Sequence, residues 1–166
     1  DLEILENELT VVRKQLARAG FYDKAMRNVD VLLVPFEEDT GFRCWGGDGN
    51  ITIPEVSMNT LRMLYERDPL TLADVLRHSY GHAYAETHRE AMQSNAFFSA
   101  FQEAYTSNVV WIFDPAVHIT QYAAKGPAED FAEMFMEFVA RGGKCPRHLS
   151  SGLLAAKWAY VASLSQ

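Results

Sequence analysis

The feature that most constrains this chain is a pair of histidines, His78 and His82, four residues apart within an apolar stretch. A helix places residues four apart one above the other on the same face. Two imidazoles in this arrangement can bind one metal ion, as the H-E-x-x-H pattern does for zinc. The second position of that pattern is Ser79 here, so the ligand pair is present and the usual glutamate is not. The stretch therefore predicts a helix that offers a metal-ligand pair.

The composition of the 166-residue chain suits one compact domain with a sizeable core, since 48% of its residues are apolar and 22% are charged. A formal net charge of −7 argues against nucleic acid or an anionic membrane as the main partner. No apolar run in the sequence approaches the roughly 20 residues that span a bilayer. Because the first residue is Asp1, we expect a fragment, or a processed or trimmed product, of a longer protein.

The two cysteines, Cys44 and Cys145, each lie in a glycine-rich loop and fit no C-x-x-C zinc ribbon. They could form one disulfide in an oxidising compartment, which would mean a secreted or periplasmic protein. They could equally remain free thiols. Both alternatives stay open, and with them the location of the protein.

Apolar periodicity predicts an α+β domain that begins with a helix and a little sheet and continues as mostly helices. Residues 2–19 carry a 3-4 apolar stripe that predicts an amphipathic helix, and Gly20 follows as its stop. Further helices are expected over five stretches, which are residues 55–67, 68–87, 94–106, 127–139 and 149–164.

The sheet is expected to be small. Residues 29–36 are rich in aliphatic and β-branched side chains and predict a buried strand. Residues 51–53 predict a short strand at a sheet edge, because Pro54 follows at once. The intervening residues 37–50 predict a loop or a hairpin. Residues 109–113 are apolar but short, and could form either a strand or a buried loop.

Two cap signals compete for the start of the helix that carries the histidines. Asp68-Pro69 offers an aspartate cap with proline in the first turn. Thr71 with Asp74 offers a reciprocal capping pair. In either case the helix is expected to continue to about Thr87.

A structural zinc site needs four protein ligands and a catalytic one needs three with a water. His88 lies six residues after His82, the metzincin spacing, but Ala85 replaces the glycine that turns that chain back. Glu129 is the better third ligand, because a glutamate from a separate helix completes a His₂Glu set. Glu133, one turn further along, would accept the remaining N–H of a ligand imidazole. In the alternative interpretation, these acidic residues are the solvated side of an amphipathic helix.

Taken in order, His78-x-x-x-His82 and the segment Tyr122-Ala-Ala-Lys-Gly-Pro-Ala-Glu129-Asp-Phe-Ala-Glu resemble the gluzincin metallopeptidases of the anthrax lethal factor and Pro-Pro endopeptidase group. They are also similar to bacterial zinc metallopeptidases with a Glu-Asp-Phe-Ala-Glu helix. In that group a tyrosine seven residues before the glutamate ligand points at the zinc, and Tyr122 has this spacing to Glu129. The resemblance covers roughly residues 70–140.

The resemblance implies a zincin-like single domain over residues 1–166. Its upper subdomain would be at about residues 1–88 and its helical lower subdomain at about residues 89–166. A small mixed sheet would pack its edge strand on the active-site helix. That edge strand, residues 51–53, would pair with an extended peptide or protein substrate.

The resemblance also implies the cofactor and the roles of the site residues. Zn²⁺ would be bound by His78, His82 and Glu129, and Tyr122 would stabilise the oxyanion of the tetrahedral intermediate. Judged without the resemblance, Tyr122 is equally compatible with a buried core tyrosine.

Ser79 occupies the position of the general base. In the mechanism that the resemblance implies, zinc acidifies a water and the glutamate of the pattern accepts its proton. A serine hydroxyl is too weak a base and too short for this, and positioned acid–base groups typically contribute ~10²–10⁴ in rate. Glu86 lies roughly 10 Å further along the helix and is not expected to substitute. Zinc binding should survive, because Ser79 is not a ligand.

Three hypotheses follow. The chain is a gluzincin-type zinc metallopeptidase, in a form that Ser79 leaves without its general base, either through an introduced substitution or as a natural pseudoenzyme. It is instead a non-catalytic module that binds zinc and peptide on the same fold. Or it is a metal-free helical interaction domain in which the histidines are incidental.

Overall fold

The computed structural model describes residues 2–35, 50–65, 67, 69–106 and 112–165. The predictions for residues 37–49 and 109–111, and Cys44, lie outside this part of the chain. Within it, helices dominate and a small sheet lies between α2 and α3, which agrees with the predicted α+β class. The main elements are α1 Leu2–Ala19, α2 Lys24–Arg27, β1 Asp30–Val34, β2 Asn50–Pro54, α3 Met58–Leu64, α4 Leu72–Thr87, α5 Asn95–Phe97, α6 Pro127–Ala140 and α7 Gly152–Leu164.

Helix α1 confirms the prediction from the apolar stripe. Gly20 ends the helix at a φ of 85°, a conformation that glycine adopts without steric cost. The amide of Phe21 then donates to the Leu16 carbonyl oxygen over 2.8 Å, which turns the Phe21 ring into the core. The buried stripe consists of Leu5, Leu9, Val12 and Leu16.

The two strands pair in parallel, with Asp30 opposite Asn50 and Val34 opposite Pro54. They are therefore not the arms of a hairpin, and the described part of the sheet is a parallel pair rather than the mixed sheet expected. The prediction of a buried first strand is wrong as well. β1 is largely half-exposed, and Leu32 on it is 44% exposed. Among the described residues, β2 is the strand that pairs with β1, and Val31 and Leu33 of β1 are only partly buried against the core.

Strand β2 connects the sheet to the rest of the core. Its Ile51 and Ile53 are buried, and the strand packs against α4, as the prediction of a strand on the histidine helix requires. Pro54 is the last residue of the strand rather than the residue after it. Among the described residues, β1 is the strand that pairs with β2.

Helix α3 is shorter than the predicted helix over residues 55–67. Ser57 caps its first turn, so Val56 lies before the helix and is only partly buried. Leu61 is buried as expected, whereas Leu64, the last helical residue, is partly exposed. The serine is the cap signal that the longer prediction overlooked.

Helix α4 begins with the second of the two competing caps. The Thr71 hydroxyl accepts from the Asp74 amide, and the Asp74 carboxylate accepts from the Thr71 amide, which forms a complete capping box. Pro69 therefore lies outside the helix. The helix ends at Thr87, as predicted.

Helices α4 and α6 cross at unusually close range. A Cβ atom at Gly81 would lie 2.9 Å from Ala132 Cα and 3.2 Å from Phe135 Cβ. Only glycine fits at this point without moving one of the helices, which is the close approach that a glycine beside His82 predicts. Around the crossing, Phe21 and Tyr84 contact each other and both pack against Phe135.

The predicted helix over residues 94–106 is present but irregular. α5 continues through a π-helical segment, Phe98–Gln102, into a 3₁₀ turn, Glu103–Thr106. Its aromatic anchors still face inward, because Phe97, Phe101 and Tyr105 are buried at four-residue intervals. Residues 109–113 were expected to form a strand or a buried loop. Of these, Ile112 and Phe113 lie in the described part of the chain, where they are exposed and belong to no strand.

Helix α7 differs from the amphipathic helix predicted over residues 149–164. Leu149 ends a separate 3₁₀ turn, and Gly152, at a φ of 63°, interrupts regular helix geometry before α7 proceeds. The larger surprise is Lys157, the only charged residue of the helix, which is completely buried. None of the helices in the described residues has both the length and the apolar character needed to cross a membrane.

Candidate metal centre

The centre lies where α4 and α6 cross, because α4 carries His78 and His82 and α6 carries Glu129. Gly126, at a φ of 151°, turns the chain into α6, and Pro127 is the first helical residue. Glu129 therefore falls in the first turn of α6, where the positive end of the helix dipole favours a carboxylate. The sequence thus builds the centre from one helix middle and one helix start.

Three candidate ligand atoms converge at this crossing. A Glu129 carboxylate oxygen lies 3.0 Å from Nε2 of His78 and 3.2 Å from Nε2 of His82. The two Nε2 atoms are 3.1 Å apart. His78 is buried, while His82 and Glu129 are partly exposed, so the cluster lies at the edge of the core with one side open.

A second layer of residues orients His78. Its Nδ1 lies 2.8 Å from Oε2 of Glu133. In the neutral imidazole that binds a metal ion, Nδ1–H would donate to this oxygen and leave Nε2 with the lone pair that a ligand needs. The other carboxylate oxygen of Glu133 accepts from the Thr120 hydroxyl at 2.9 Å and lies 3.6 Å from Nη1 of Arg67. Glu133 is only 2% exposed. The contact expected between Glu133 and a ligand imidazole is therefore present.

The spacing of these atoms fits a tetrahedral zinc ion. Bonds of 2.0–2.1 Å at tetrahedral angles place neighbouring ligand atoms about 3.3 Å apart. The three separations at the centre are 3.0, 3.1 and 3.2 Å. An ion therefore requires outward shifts of only about 0.1–0.3 Å, and the open side leaves room for a fourth ligand. A search of the described residues for clusters of histidine, cysteine and acidic side chains that could hold a metal ion finds this group, His78, His82 and Glu129.

The charges of the centre favour a cation. Burial alone would lower the pKa of His78, but hydrogen bonds and attraction from Glu129 and Glu133 raise it to about 9. Burial would raise the pKa of Glu129, but its bonds to His78 and His82 lower it well below the usual range of a carboxyl. Positive charge is thus stabilised between these groups, whether a proton on His78 or a divalent cation supplies it.

Two tyrosine rings contact the His78 ring. The ring of Tyr122 lies 5.6 Å from the His78 ring in an edge-to-face arrangement, and the ring of Tyr65 lies 5.3 Å away in a similar one. The two tyrosine rings are also 4.9 Å apart. Tyr122 is therefore beside the first candidate ligand, and it is partly rather than fully buried.

Ser79 is completely buried, and its hydroxyl donates to the Val75 carbonyl oxygen at 2.7 Å. The hydroxyl is thus engaged within α4 itself. No general base replaces it from the same helix, because Glu86 lies on the surface in an ion pair with Arg89. What the described geometry supports is metal binding.

The structure also separates His88 from the centre. Its ring stacks on Tyr84 at 4.0 Å, and its Nε2 lies 2.6 Å from the Asp23 carboxylate, on the far side of α4. This agrees with the preference for Glu129 over His88 as the third ligand. Cys145 is exposed and lies far along the chain, between α6 and α7.

Sequence reasoning missed several residues of this region. Tyr65, Arg67 and Thr120 belong to loops or helix ends whose approach to His78 or Glu133 has no local sequence signal. Asp130 and Lys157 form a buried ion pair beside the centre. A signal for that pair did exist, since Lys157 is the one charged residue in an otherwise apolar helix.

Comparison of the chain with protein-family models, with curated proteins and with solved structures gives no match. The resemblance to gluzincins therefore remains a prediction. What stands independently of it is a mixed helical and sheet domain with a His78–His82–Glu129 group that could hold a metal ion.

Proposed function

We propose that this chain is a gluzincin-type zinc metallopeptidase domain in a form that lacks its general base. It binds Zn²⁺ and an extended peptide, and hydrolyses peptide bonds poorly or not at all. The observation that carries the proposal is the convergence of His78, His82 and Glu129, with Glu133 on the remaining N–H of His78. This combination of two helical imidazoles, a carboxylate from a second helix and an oriented ligand is typical of zinc sites with an open position.

The residues of the chain divide the work as follows. His78 and His82 would bind through Nε2 and Glu129 through a carboxylate oxygen, while Glu133 fixes the tautomer and direction of the His78 ring. Tyr122 would donate to a carbonyl oxygen of the substrate. When bound, zinc supplies Lewis-acid polarisation of the scissile carbonyl and a water of lowered pKa. Ser79 cannot accept a proton from that water, so the proton-transfer step has no described acceptor.

An open groove of about 590 Å³ beside the sheet supports an extended substrate. A peptide seated there would lie next to Ile53 and Pro54 of β2 and place apolar side chains against the lining of the groove. The groove is lined by Ile4, Leu5, Leu33, Ile53, Pro54, Glu55, Val56, Ser57, Met58, Leu61 and Leu72.

Zinc stoichiometry tests the metal site directly. The purified protein should take up about one zinc per chain, the count of a single site. Glu129→Ala should lose it, whereas Glu86→Ala, which removes an exposed carboxylate from α4, should retain it. Measurement is by elemental analysis after zinc addition and dialysis. A parent protein that stays free of metal would refute the proposal.

A second candidate function is a natural peptide-binding module, and the environment of Ser79 favours it. Ser79 is fully buried and its hydroxyl donates to the Val75 carbonyl oxygen. A glutamate at this position would need more space and contact with water for its charge, whereas the serine needs neither. On this proposal the chain binds zinc and peptide but does not hydrolyse the peptide.

Ser79→Glu separates the two functions. If the domain lacks only its base, the zinc-loaded variant should hydrolyse an unfolded protein such as reduced casein at least ~10²-fold faster than the parent. Chelation of zinc should abolish that gain. A variant that remains folded and binds zinc without any gain would instead identify a binding module.

A further inference from the structure

A buried polar cluster lies directly behind the metal centre. Nζ of Lys157, in α7, lies 2.5 Å from Oδ2 of Asp130, in α6, and 2.5 Å from the Val117 carbonyl oxygen. The Tyr105 hydroxyl lies 2.8 Å from the same Oδ2 and 2.9 Å from the Ala123 carbonyl oxygen. Lys157 and Asp130 are both 0% exposed. One carboxylate oxygen thus contacts two side chains, and each of these also bonds to a backbone carbonyl oxygen, that of Val117 or Ala123.

The segment that the cluster holds is the one that reaches the metal centre. Val117 and Ala123 bracket Thr120 and Tyr122, so the cluster fastens the segment at both ends. Thr120 donates to Glu133, and Glu133 accepts from His78. A continuous path of bonds and short chain segments therefore runs from Lys157 to the imidazole of His78.

Stability alone gives no reason for charged residues in this position. Replacing a buried ion pair by apolar side chains of similar volume is often neutral or stabilising. The cluster is also incompletely satisfied, since Oδ1 of Asp130 is buried and has no hydrogen-bond partner among the described residues. What apolar side chains could not provide is a directed bond to each of two carbonyl groups, those of Val117 and Ala123.

We propose that Lys157, Asp130 and Tyr105 are positioning residues of the metal centre. They fix the backbone on either side of Thr120 and Tyr122, so that Thr120 holds Glu133 in place and Tyr122 stays against His78. None of the three contacts the ligand atoms. The inference rests on the proposed function of His78, His82 and Glu129 as metal ligands.

The mildest test removes one hydroxyl. Tyr105→Phe retains the ring in the core and deletes the bonds to Asp130 and Ala123. Tyr160→Phe is the matched control, because Tyr160 is another buried tyrosine whose hydroxyl donates to a carbonyl, that of Ala91, away from the centre. A third variant, Lys157→Met with Asp130→Asn, removes the ion pair without leaving a buried charge behind.

Two measurements on each variant are needed. The first is zinc affinity by competition with a chromophoric chelator, together with the visible spectrum of the Co²⁺ form, which reports ligand geometry. The second is amide hydrogen exchange over residues 117–125 in the presence of EDTA. Tyr105→Phe and the double variant should weaken zinc binding by about tenfold, the lower end of the range for outer hydrogen-bond partners. They should also shift the Co²⁺ spectrum and accelerate exchange in the segment, while Tyr160→Phe should do neither.

The outcomes separate this inference from the proposed function. Folded variants that match the parent in zinc affinity and Co²⁺ spectrum would overturn the inference, even where their exchange is faster, and would leave the zinc site intact. A parent that binds no zinc refutes the proposed function and, with it, the inference that rests on it.

Discussion

Two carboxylates that are neighbours in the sequence, Glu129 and Asp130, lie in opposite environments. The Glu129 side chain is 27% exposed, faces His78 and His82, and has a pKa lowered far below its usual range by those contacts, against the effect of burial. Asp130 points the other way, into the core. There burial raises its pKa to about 6, although the attraction of Lys157 opposes the rise.

The difference shows how one helix start can serve two purposes. Consecutive helical residues diverge by about 100°, so α6 presents one acid to a partly open cleft and the next to the protein interior. The environment of Glu129 favours its charge and leaves it accessible to a cation. The charge on Asp130 is already neutralised by Lys157. Only the first carboxylate is therefore available for binding, and the second belongs to the framework behind it.

The largest expected effect comes from breaking the buried ion pair between Asp130 and Lys157. Lys157→Met leaves Asp130 buried without a cation, which should cost about 3–5 kcal/mol of unfolding free energy. Glu129→Gln should cost much less in EDTA, because its site is partly exposed and Glu133 still balances a charge on His78. Urea unfolding, followed by circular dichroism in EDTA, measures both.

The two variants should differ in the opposite direction when the gain in unfolding free energy on adding zinc is measured. A ligand at 100 times its Kd stabilises the folded protein by about 2.7 kcal/mol. Lys157→Met retains all three ligands and should still be stabilised by zinc, whereas Glu129→Gln should gain almost nothing. If both variants lose the same stability in EDTA and gain equally from zinc, the division between binding and framework carboxylates is wrong.

A smaller effect is expected from the third acidic residue of α6 at this site. Glu133→Gln retains the ligand set but weakens the bond to Nδ1 of His78, which should reduce zinc affinity by about 10–100-fold. Glu137→Gln is the matched control: Glu137 lies one turn further along α6 and also contacts Arg67, but it bonds to neither histidine. Isothermal titration with zinc measures both. Equal affinities for the two variants would show that Glu133 does not orient the ligand.

Much of the centre could be predicted because its parts are local. The spacing of His78 and His82 within α4, and of Glu129 and Glu133 within α6, follows from helix periodicity, and the glycine beside His82 indicates a close crossing. The stop at Gly20 and the capping pair at Thr71 are likewise readable within a few residues. The pairing of α4 with α6 followed only from the chemistry that the side chains would need together.

What could not be predicted depends on contacts between distant parts of the chain. In the sequence, Asp130 has the pattern of a solvent-exposed acidic residue, because no residue near it indicates its partner Lys157, which follows 27 residues later. Thr120 reaches Glu133 from a stretch without periodicity. The exposure of β1 could not be predicted either, because an aliphatic run indicates a strand but not how much of that strand the rest of the protein covers.

A carboxylate outside the centre should give the smallest effect and calibrates the others. Asp23 pairs with His88 and caps α2 by accepting from the Met26 amide at 3.0 Å, the same two side-chain types as at the centre but without a third ligand. Burial would raise the pKa of Asp23, but the Met26 amide and His88 lower it overall. A carboxyl with a lowered pKa stabilises the fold above its unfolded value of 3.8 and loses that contribution as the pH falls through the folded value.

Asp23→Ala should therefore cost about 1 kcal/mol at neutral pH, the usual effect of a lost cap. The gap between variant and parent should narrow steadily once the pH falls below about 3.8, and zinc affinity should not change. Urea unfolding at pH 7, 4 and 3, with a zinc titration at pH 7, measures this. A loss of zinc affinity in Asp23→Ala would mean that a histidine–carboxylate pair binds metal here without a third ligand, and would remove the distinction that singles out Glu129.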